Sequence, residues 1–376
     1  MQGRVETKNV FKVAGAFIAF LIGAGFATGQ EVFQYFTAWG MKGLLVGLAT
    51  FIGLGYAGSD FIAVGYKVPF SNTNDIYRYY AGRWIGGFYD YFSTIFIYMS
   101  YIVMLAGTGA TVSQHWGVSP LIGGLVMAVI SAGTVLLGLR RLADIIGCIG
   151  PVIVLFALGV GAFALFDGGI GVKDGAAMLE DPTFVGQITR VGGNWFAASA
   201  SYVGFCMLWL AAFLAAMGRQ SNSVKEGVSG TISGALGFSL GAVVLMLGFL
   251  AHMNEVAFAD IPSLILAKEI WAPIASVFAL VIMAGIFTTS VPLLWSVSAR
   301  YSQEGTNKFR ILTIALAALA LFVAFSLPFK QVVNIIYGIN GYVGALLLVI
   351  MITKRLGIND AVGRMLKIEP WKAPEE

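Results

Sequence analysis

Glu31 stands two residues after Gly29 in LIGAGFATGQE (Leu21–Glu31), in the middle of the first long apolar run of the chain. An ionisable side chain at that depth costs several kcal/mol unless it is paired, hydrated or neutral, so it marks a functional site by default. Three roles fit it: a proton-coupling carboxyl, a counter-charge for a cationic solute, or a satisfied structural residue near an outer vestibule. The glycines around it carry two readings. Gly25 and Gly29 are spaced as small-xxx-small, which lets a neighbouring backbone come close. Alternatively the helix is unwound, freeing carbonyls and amides that lipid tolerates only where they face protein or a cavity. Freed groups of that kind coordinate a cation or an anionic solute in discontinuous transporter helices. The adjacent carboxyl favours the unwound reading.

A second interruption falls in NWFAASASYVGFCMLWL, where Ser199, Ser201 and Gly204 divide an otherwise bulky run at about its midpoint. This predicts a second broken helix. Asp60, Asp90 and Asp144 lie towards the ends of the second, third and fifth runs; they are expected to pair with Arg83, Arg140 or Arg141, or to form a gate. Asn334, Tyr337 and Asn340 make a polar stripe in VVNIIYGINGYVG, fit either for lining an outer pathway or for bonding between helices. His115 and His252 are too far apart in sequence to suggest a metal site. No phosphate-binding loop, HExxH or nucleophile elbow is present, so an embedded enzyme is not expected.

The elements that must hold these residues are membrane helices. Of the 376 residues 58% are hydrophobic and 11% charged, against about 25% charged in a soluble domain, and the mean hydropathy is +0.83. No basic run resembles a nucleic-acid footprint. Cys148 and Cys206 both sit in apolar segments and make no disulfide framework. The first run is too long and too glycine-broken for a cleavable leader. Runs of roughly 20 apolar residues, each enough to cross a bilayer, recur ten times. They fall at about 9–38, 42–66, 84–113, 118–138, 142–167, 192–217, 225–252, 271–298, 309–328 and 331–353.

Lysine and arginine fix the orientation. Only Lys42, Lys173, Arg190, Lys268 and Lys330 fall on one side, and the other 18 of the 23 fall on the side of both termini, which is expected to be cytoplasmic. Ten spans with this symmetry divide into two halves of five, at 1–167 and 192–353. An odd number per half inverts the second relative to the first. Residues 168–191 are the outer connection, and 354–376 an inner tail expected to lie along the inner membrane face, since it mixes basic residues with Leu356, Met365, Leu366 and Trp371. Short surface helices are expected after Asp260, as a cap before Pro262, and over residues 72–84.

GAGFATGQE, the ten-span layout and the Ser/Thr cluster in span eight (MAGIFTTSVPLLWS) resemble the LeuT-fold, or amino acid–polyamine–cation, superfamily. The GAGFATGQE phrase is similar to YkvI-like bacterial membrane proteins within it. The resemblance implies an all-α fold of ten transmembrane helices in a 5+5 inverted repeat, with helices 1 and 6 discontinuous, in a bacterial cytoplasmic membrane. It implies a sodium site formed by the carbonyls of Gly23, Phe26 and Gly285 and the hydroxyls of Thr288 and Thr289. Ser and Thr in membrane helices also bond back to their own turn, a reading that stays open. Implied solute-binding residues are the backbone of Ala24, Gly25, Phe26 and Ala27, then Ser199, Ser201 and Tyr202, with Tyr98 and Tyr101 on span three. A half-helix starting near Phe26 favours a carboxylate at its amides. No arginine follows the first break; Gln30 and Glu31 occupy that gating region instead. The implied activity is cation-coupled secondary transport, sodium ahead of protons, of a small polar organic solute such as an amino acid, by alternating access. The competing class is a non-transporting sensor or scaffold using glycines for packing. No cofactor is implied beyond the coupling ion; the partners are the solute and the bilayer, with no nucleic acid, and the chain works as a monomer or homodimer.

Overall fold

The computed structural model describes residues 6–68, 70, 72–137, 155–167 and 169–357, and every regular element among them is helical. In lipid the backbone has no partner but itself, and a helix pairs each amide within its own segment. In chain order the elements are α1 (Thr7–Leu21), α2 (Ala24–Thr28), α3 (Gln30–Tyr35), a 3-10 turn (Thr37–Lys42), α4 (Gly43–Lys67), α5 (Asp75–Trp116), α6 (Pro120–Leu137) and α7 (Leu155–Ala164). Then follow α8 (Val172–Met178), α9 (Pro182–Val185), α10 (Trp195–Gln220), α11 (Val224–Ala251), α12 (Met253–Val256), α13 (Pro262–Ile270), α14 (Ala272–Tyr301), α15 (Asn307–Ala324) and α16 (Phe329–Arg355).

Among the described residues eight helices are long and apolar enough to cross a membrane: α4 with its preceding turn, α5, α6, α10, α11, α14, α15 and α16. The first expected span is broken into α1, α2 and α3, each shorter than the roughly 20 residues a crossing needs. The fifth is described only from Leu155 onward. Asp144, Arg140, Arg141, Cys148 and the tail beyond Gly357 lie outside the described residues.

Local signals set the ends. The side chains of Asn194, Ser223 and Thr306 accept from the amides of Ala197, Glu226 and Phe309 at 2.8, 3.2 and 3.2 Å, opening α10, α11 and α15. Within α5, Gly82 (φ 72, ψ −173) separates the short helix expected near residues 72–84 from the span proper. The short helix α13 begins at Pro262 with Ile261 as its N-cap, so Asp260 is not its cap, and five of its nine residues are buried, so it is not the surface helix expected. Asp260 lies 3.9 Å from Lys330 instead.

Helices α1, α4, α10 and α11 pack on one another, and α5, α6, α14 and α15 form a second group. α16 lies against α10 and α5, and the short α2 touches α5, α13 and α14. The broken first span therefore bridges the two groups.

The sixth span corrects the expectation of a second break: α10 is continuous over 26 residues. Its small residues serve a close crossing with α16. A Cβ on Gly204 would meet the backbone of Gly341 and Ala345, and one on Gly344 would meet that of Gly204. Ser201 Oγ donates to the Gly338 carbonyl at 3.3 Å, and Ser199 Oγ to that of Trp195, one turn back, at 2.8 Å. Small residues permit either a break or an intimate crossing, and the distant α16 decides between them.

Candidate functional site

Span one turns extended at Ile22 (φ −86, ψ 99) and Gly23 (φ −109, ψ −167), then restarts as helix at Ala24 rather than Phe26. The Ala24 amide, first of α2, donates to Met104 Sδ at 3.4 Å. After five residues Gly29, at φ 85, turns the chain into α3. A Cβ at Gly29 would meet the Phe249 ring and the Ser263 amide, so both its conformation and its surroundings ask for glycine. Ser263 Oγ donates to the freed Ala27 carbonyl at 2.8 Å. The expected break is present, with one discontinuity before α2 and one after it.

Glu31, in the first turn of α3, is fully buried. Its Oε1 accepts from the Tyr202 hydroxyl at 3.2 Å, while Oε2 has no partner and lies against Gly25. None of the ion pairs among the described residues includes it. An aromatic cluster lies beside it, reached through Tyr202. Ring centroids stand 4.9 Å apart for Tyr35 and Tyr202, 5.0 Å for Tyr202 and Phe205, and 4.8 Å for Phe205 and Tyr337. The hydroxyls of Tyr35 and Tyr337 are buried without a partner. The Ser201 hydroxyl lies near Tyr35 without hydrogen-bond geometry. Buried phenols nearly always find a partner, so two orphaned phenols beside a half-satisfied carboxyl call for an explanation.

The α3 amides close the side away from the chain ends. Gln30 Nε2 donates to the Ala259 carbonyl at 2.7 Å, and Gln34 Nε2 to Gln30 Oε1 and the Lys330 carbonyl, both at 2.9 Å. Asn334 Nδ2 donates to Gln34 Oε1 and to the Arg190 carbonyl, both at 3.0 Å. Gln30 thus belongs to a side-chain cluster tying α3 to α16 and to the connections at Arg190 and Ala259. At the opposite end Asp90 accepts from Arg78 at 3.0 Å, Arg300 at 2.9 Å and Asn74 at 3.1 Å. Asp60 accepts from the Tyr80 hydroxyl at 2.7 Å and pairs with Arg355. The expected partner Arg83 instead lies over the Trp84 ring, 5.9 Å from its centroid. The aspartates are paired, but by Arg78, Arg300 and Arg355.

Span eight does lie on the break, since α14 packs on α2. Thr288 and Thr289 both donate to the Gly285 carbonyl, at 2.9 and 3.1 Å, and Ser290 to that of Ile286 at 2.7 Å. The Gly23 and Phe26 carbonyls accept from Ala27 and Gly29 amides at 3.0 Å each. Pro292 has no amide to offer the Thr288 carbonyl one turn back. Among the expected solute-binding residues, Ala24, Gly25, Phe26, Ala27 and Tyr202 gather at the break. Ser199 and Ser201 are engaged as described above. The hydroxyl of Tyr98 donates to the Leu316 carbonyl at 2.9 Å, and that of Tyr101 lies 2.9 Å from Ser131 Oγ, so both hold α5 to its own group rather than face the break. Tyr35, Gln34 and Phe205 were not anticipated. Tyr35 and Gln34 sit one helical turn beyond Glu31 and Gln30, a spacing that signals a shared face.

No family model matches the chain. It is similar to the uncharacterized membrane protein YkvI of Bacillus subtilis (strain 168), 20% identical over 337 residues that cover 88% of this chain and 92% of that one. It is also similar to the uncharacterized protein YyaD of the same organism, 22% identical over 338 residues, 88% of this chain and 93% of that one. Among solved structures it matches the inward-facing conformation of Mhp1 with a TM-score of 0.57, over 94% of this chain and 77% of that chain at 16% identity. The chain shares that LeuT-type fold.

Proposed function

We propose that this chain is a cation-coupled secondary transporter of a small polar organic solute, working by alternating access around the break in span one. One observation carries the reading: a fully buried, half-satisfied Glu31 carboxyl lies against an unwound stretch of membrane helix. Breaking a helix in lipid forfeits backbone hydrogen bonds, and discontinuous spans are found where a bound group or a cavity takes them up. The LeuT-type fold supports the same class. The polar clusters around Gln34 and Asp90, one at each end of the bundle, are the proposed gates.

Sodium is the proposed coupling ion, held by the carbonyls of Gly23, Phe26 and Gly285 with the hydroxyls of Thr288 and Thr289. Neutral oxygens without thiolate or imidazole suit a hard cation, and the proline-freed Thr288 carbonyl adds a candidate ligand. The face bearing most lysines and arginines is the proposed cytoplasmic side. The segments 1–167 and 192–353 are the proposed inverted repeats. The test is uptake into proteoliposomes under imposed gradients, with solutes chosen by a thermal-shift screen with and without Na⁺. Thr288→Val with Thr289→Val should abolish sodium-driven uptake in protein that still folds; unchanged sodium dependence refutes the ion assignment. Absence of gradient-driven uptake for every solute that binds would favour the sensor class.

A further inference from the structure

We propose that Glu31, Tyr35, Tyr202 and Tyr337 form a site for the ammonium group of an organic cation, which exchanges with a proton on the Glu31 carboxyl. This deepens the transporter reading and rests on it only for the crossing of the membrane, not for the binding itself.

The first support is charge balance. A bare carboxylate sealed from water is strongly disfavoured unless a proton or a cation accompanies it. The titratable groups facing Glu31 are Tyr35 on its own element, Tyr202 and Cys206 on α10, and Tyr337 on α16, none of them cationic. No lysine, arginine or histidine pairs with it among the described residues. No described residue supplies the compensating charge, which leaves a proton or a bound cation to do so.

The second support is the count and type of vacant acceptors. A primary ammonium carries three N–H donors and no acceptor. Tyr202 fixes Glu31 Oε1 from one side, which leaves Oε2 together with the Tyr35 and Tyr337 phenol oxygens, all buried and all without partners. Three donors meet three acceptors. The third support is the wall. Phe205 stacks on Tyr337 with planes 12° apart and packs edge-on to Tyr202 at 87°, so the residues that bear the vacant oxygens belong to one aromatic cluster, and aromatic rings are the walls that organic cations favour. A carboxylate solute would set a second negative charge beside Glu31, with no cationic side chain among the described residues to offset the two.

The exchange balances without a redox step. The Glu31 O–H bond breaks, its proton leaves to water, and the carboxylate accepts a hydrogen bond from an N–H of the incoming ammonium, which keeps all its protons. One proton departs for each cation bound.

The test uses the full chain, purified in detergent, with n-butylammonium as probe and n-butanol, butyrate and sodium chloride as controls at matched ionic strength. Calorimetry in two buffers of different ionisation enthalpy reads binding and proton release together. Saturable n-butylammonium binding that releases about one proton is expected, with Glu31→Gln abolishing both. Tyr337→Phe should weaken binding about five- to tenfold while leaving the proton count unchanged. Should Glu31→Gln fail to fold, the combined Tyr35→Phe and Tyr337→Phe variant carries the test, and unchanged affinity there overturns the site. Absence of binding, binding without proton release, or equal binding of butanol, butyrate or Na⁺ overturns it as well. Flux separates the two readings. Binding with proton release but no carriage into liposomes sinks the transporter and leaves this site standing, whereas uptake of other solutes by a chain indifferent to n-butylammonium does the reverse.

Discussion

Tyr202 donates its hydroxyl proton to Glu31 Oε1 across 3.2 Å, joining the unbroken sixth span to the broken first one. The two residues are 171 positions apart in sequence. Tyr202 is held by the rings of Tyr35, Phe36, Phe205 and Phe238, on a helix with no interior irregularity. Glu31 sits on six-residue α3, which follows a left-handed glycine. The contact therefore sets a fixed donor against a carboxyl on a short, jointed segment. That asymmetry is what a site needs if one helix is to move while its partner holds register.

Tyr202→Phe leaves Glu31 Oε1 without its donor. Orphaning a buried acceptor costs about 1–3 kcal/mol, and a lower thermal midpoint in detergent is the expected readout. In a Glu31→Leu background the same change should cost little, because nothing remains to be orphaned. A double-mutant cycle with coupling below about 0.5 kcal/mol would remove this hydrogen bond from the account of the site.

Gly25→Ala is expected to be as harmful as a side-chain deletion. Its Cβ would meet Glu31 Oε2 and come within 3.0 Å of the Tyr337 ring. Overpacking of this kind costs about 1–3 kcal/mol, and here it also pushes the carboxyl off its position. Gly15→Ala, in α1 with nothing within 4 Å of the new methyl, is the matched control. It should be neutral or stabilise by up to about 1 kcal/mol through helix propensity. Thermal melts of the two variants side by side decide the point.

Much of the fold was readable because composition dictates it: apolar runs of span length have one viable backbone state in lipid. The first break was readable for a related reason, since three glycines and a glutamate in eleven residues make continuous helix costly and a polar site rewarding. Span six misled because Ser199, Ser201 and Gly204 are equally suited to a break and to a close crossing. The choice belongs to Gly341 and Gly344, some 140 residues downstream, which no local window contains. The ion pairs show the same limit. Asp60 and Asp90 do find arginines, but Arg355 and Arg300 come from 295 and 210 positions away. The hydroxyls of Tyr98 and Tyr101 bond to Leu316 and Ser131, partners set by rotational phase: a tyrosine at mid-span depth serves whichever neighbour its face of the helix meets.

Gln34→Ala should open the side of the site towards Arg190 and Lys330. Gln34 accepts from Asn334 and donates to both Gln30 and the Lys330 carbonyl, so its loss undoes three contacts at once. The readout is thiol chemistry. In a chain carrying Cys148→Ala and Cys206→Ala, an Ala24→Cys thiol should react with a small water-soluble reagent several-fold faster once Gln34 is replaced. Equal rates would mean that the amide cluster does not limit access to the break.

Asp90→Asn tests the cluster at the other end, where one carboxylate serves two guanidinium groups, one from the short helix before Gly82 and one from α14. Arg78 and Arg300 approach at 3.0 and 2.9 Å, and the Asp90 side chain is 8% exposed against 31% and 21% for the arginines. Losing one partner of a fully buried pair costs about 3–5 kcal/mol. The arginines are partly solvated, which discounts the loss to about 1–3 kcal/mol. Neutralising Asp90 also leaves two positive groups facing each other, so pairing the change with Arg300→Met should recover part of the lost stability. Added salt should shrink the single-variant penalty by screening that repulsion. If Asp90→Asn melts like the parent protein at low salt, the cluster is not what holds α5 and α14 together at this end.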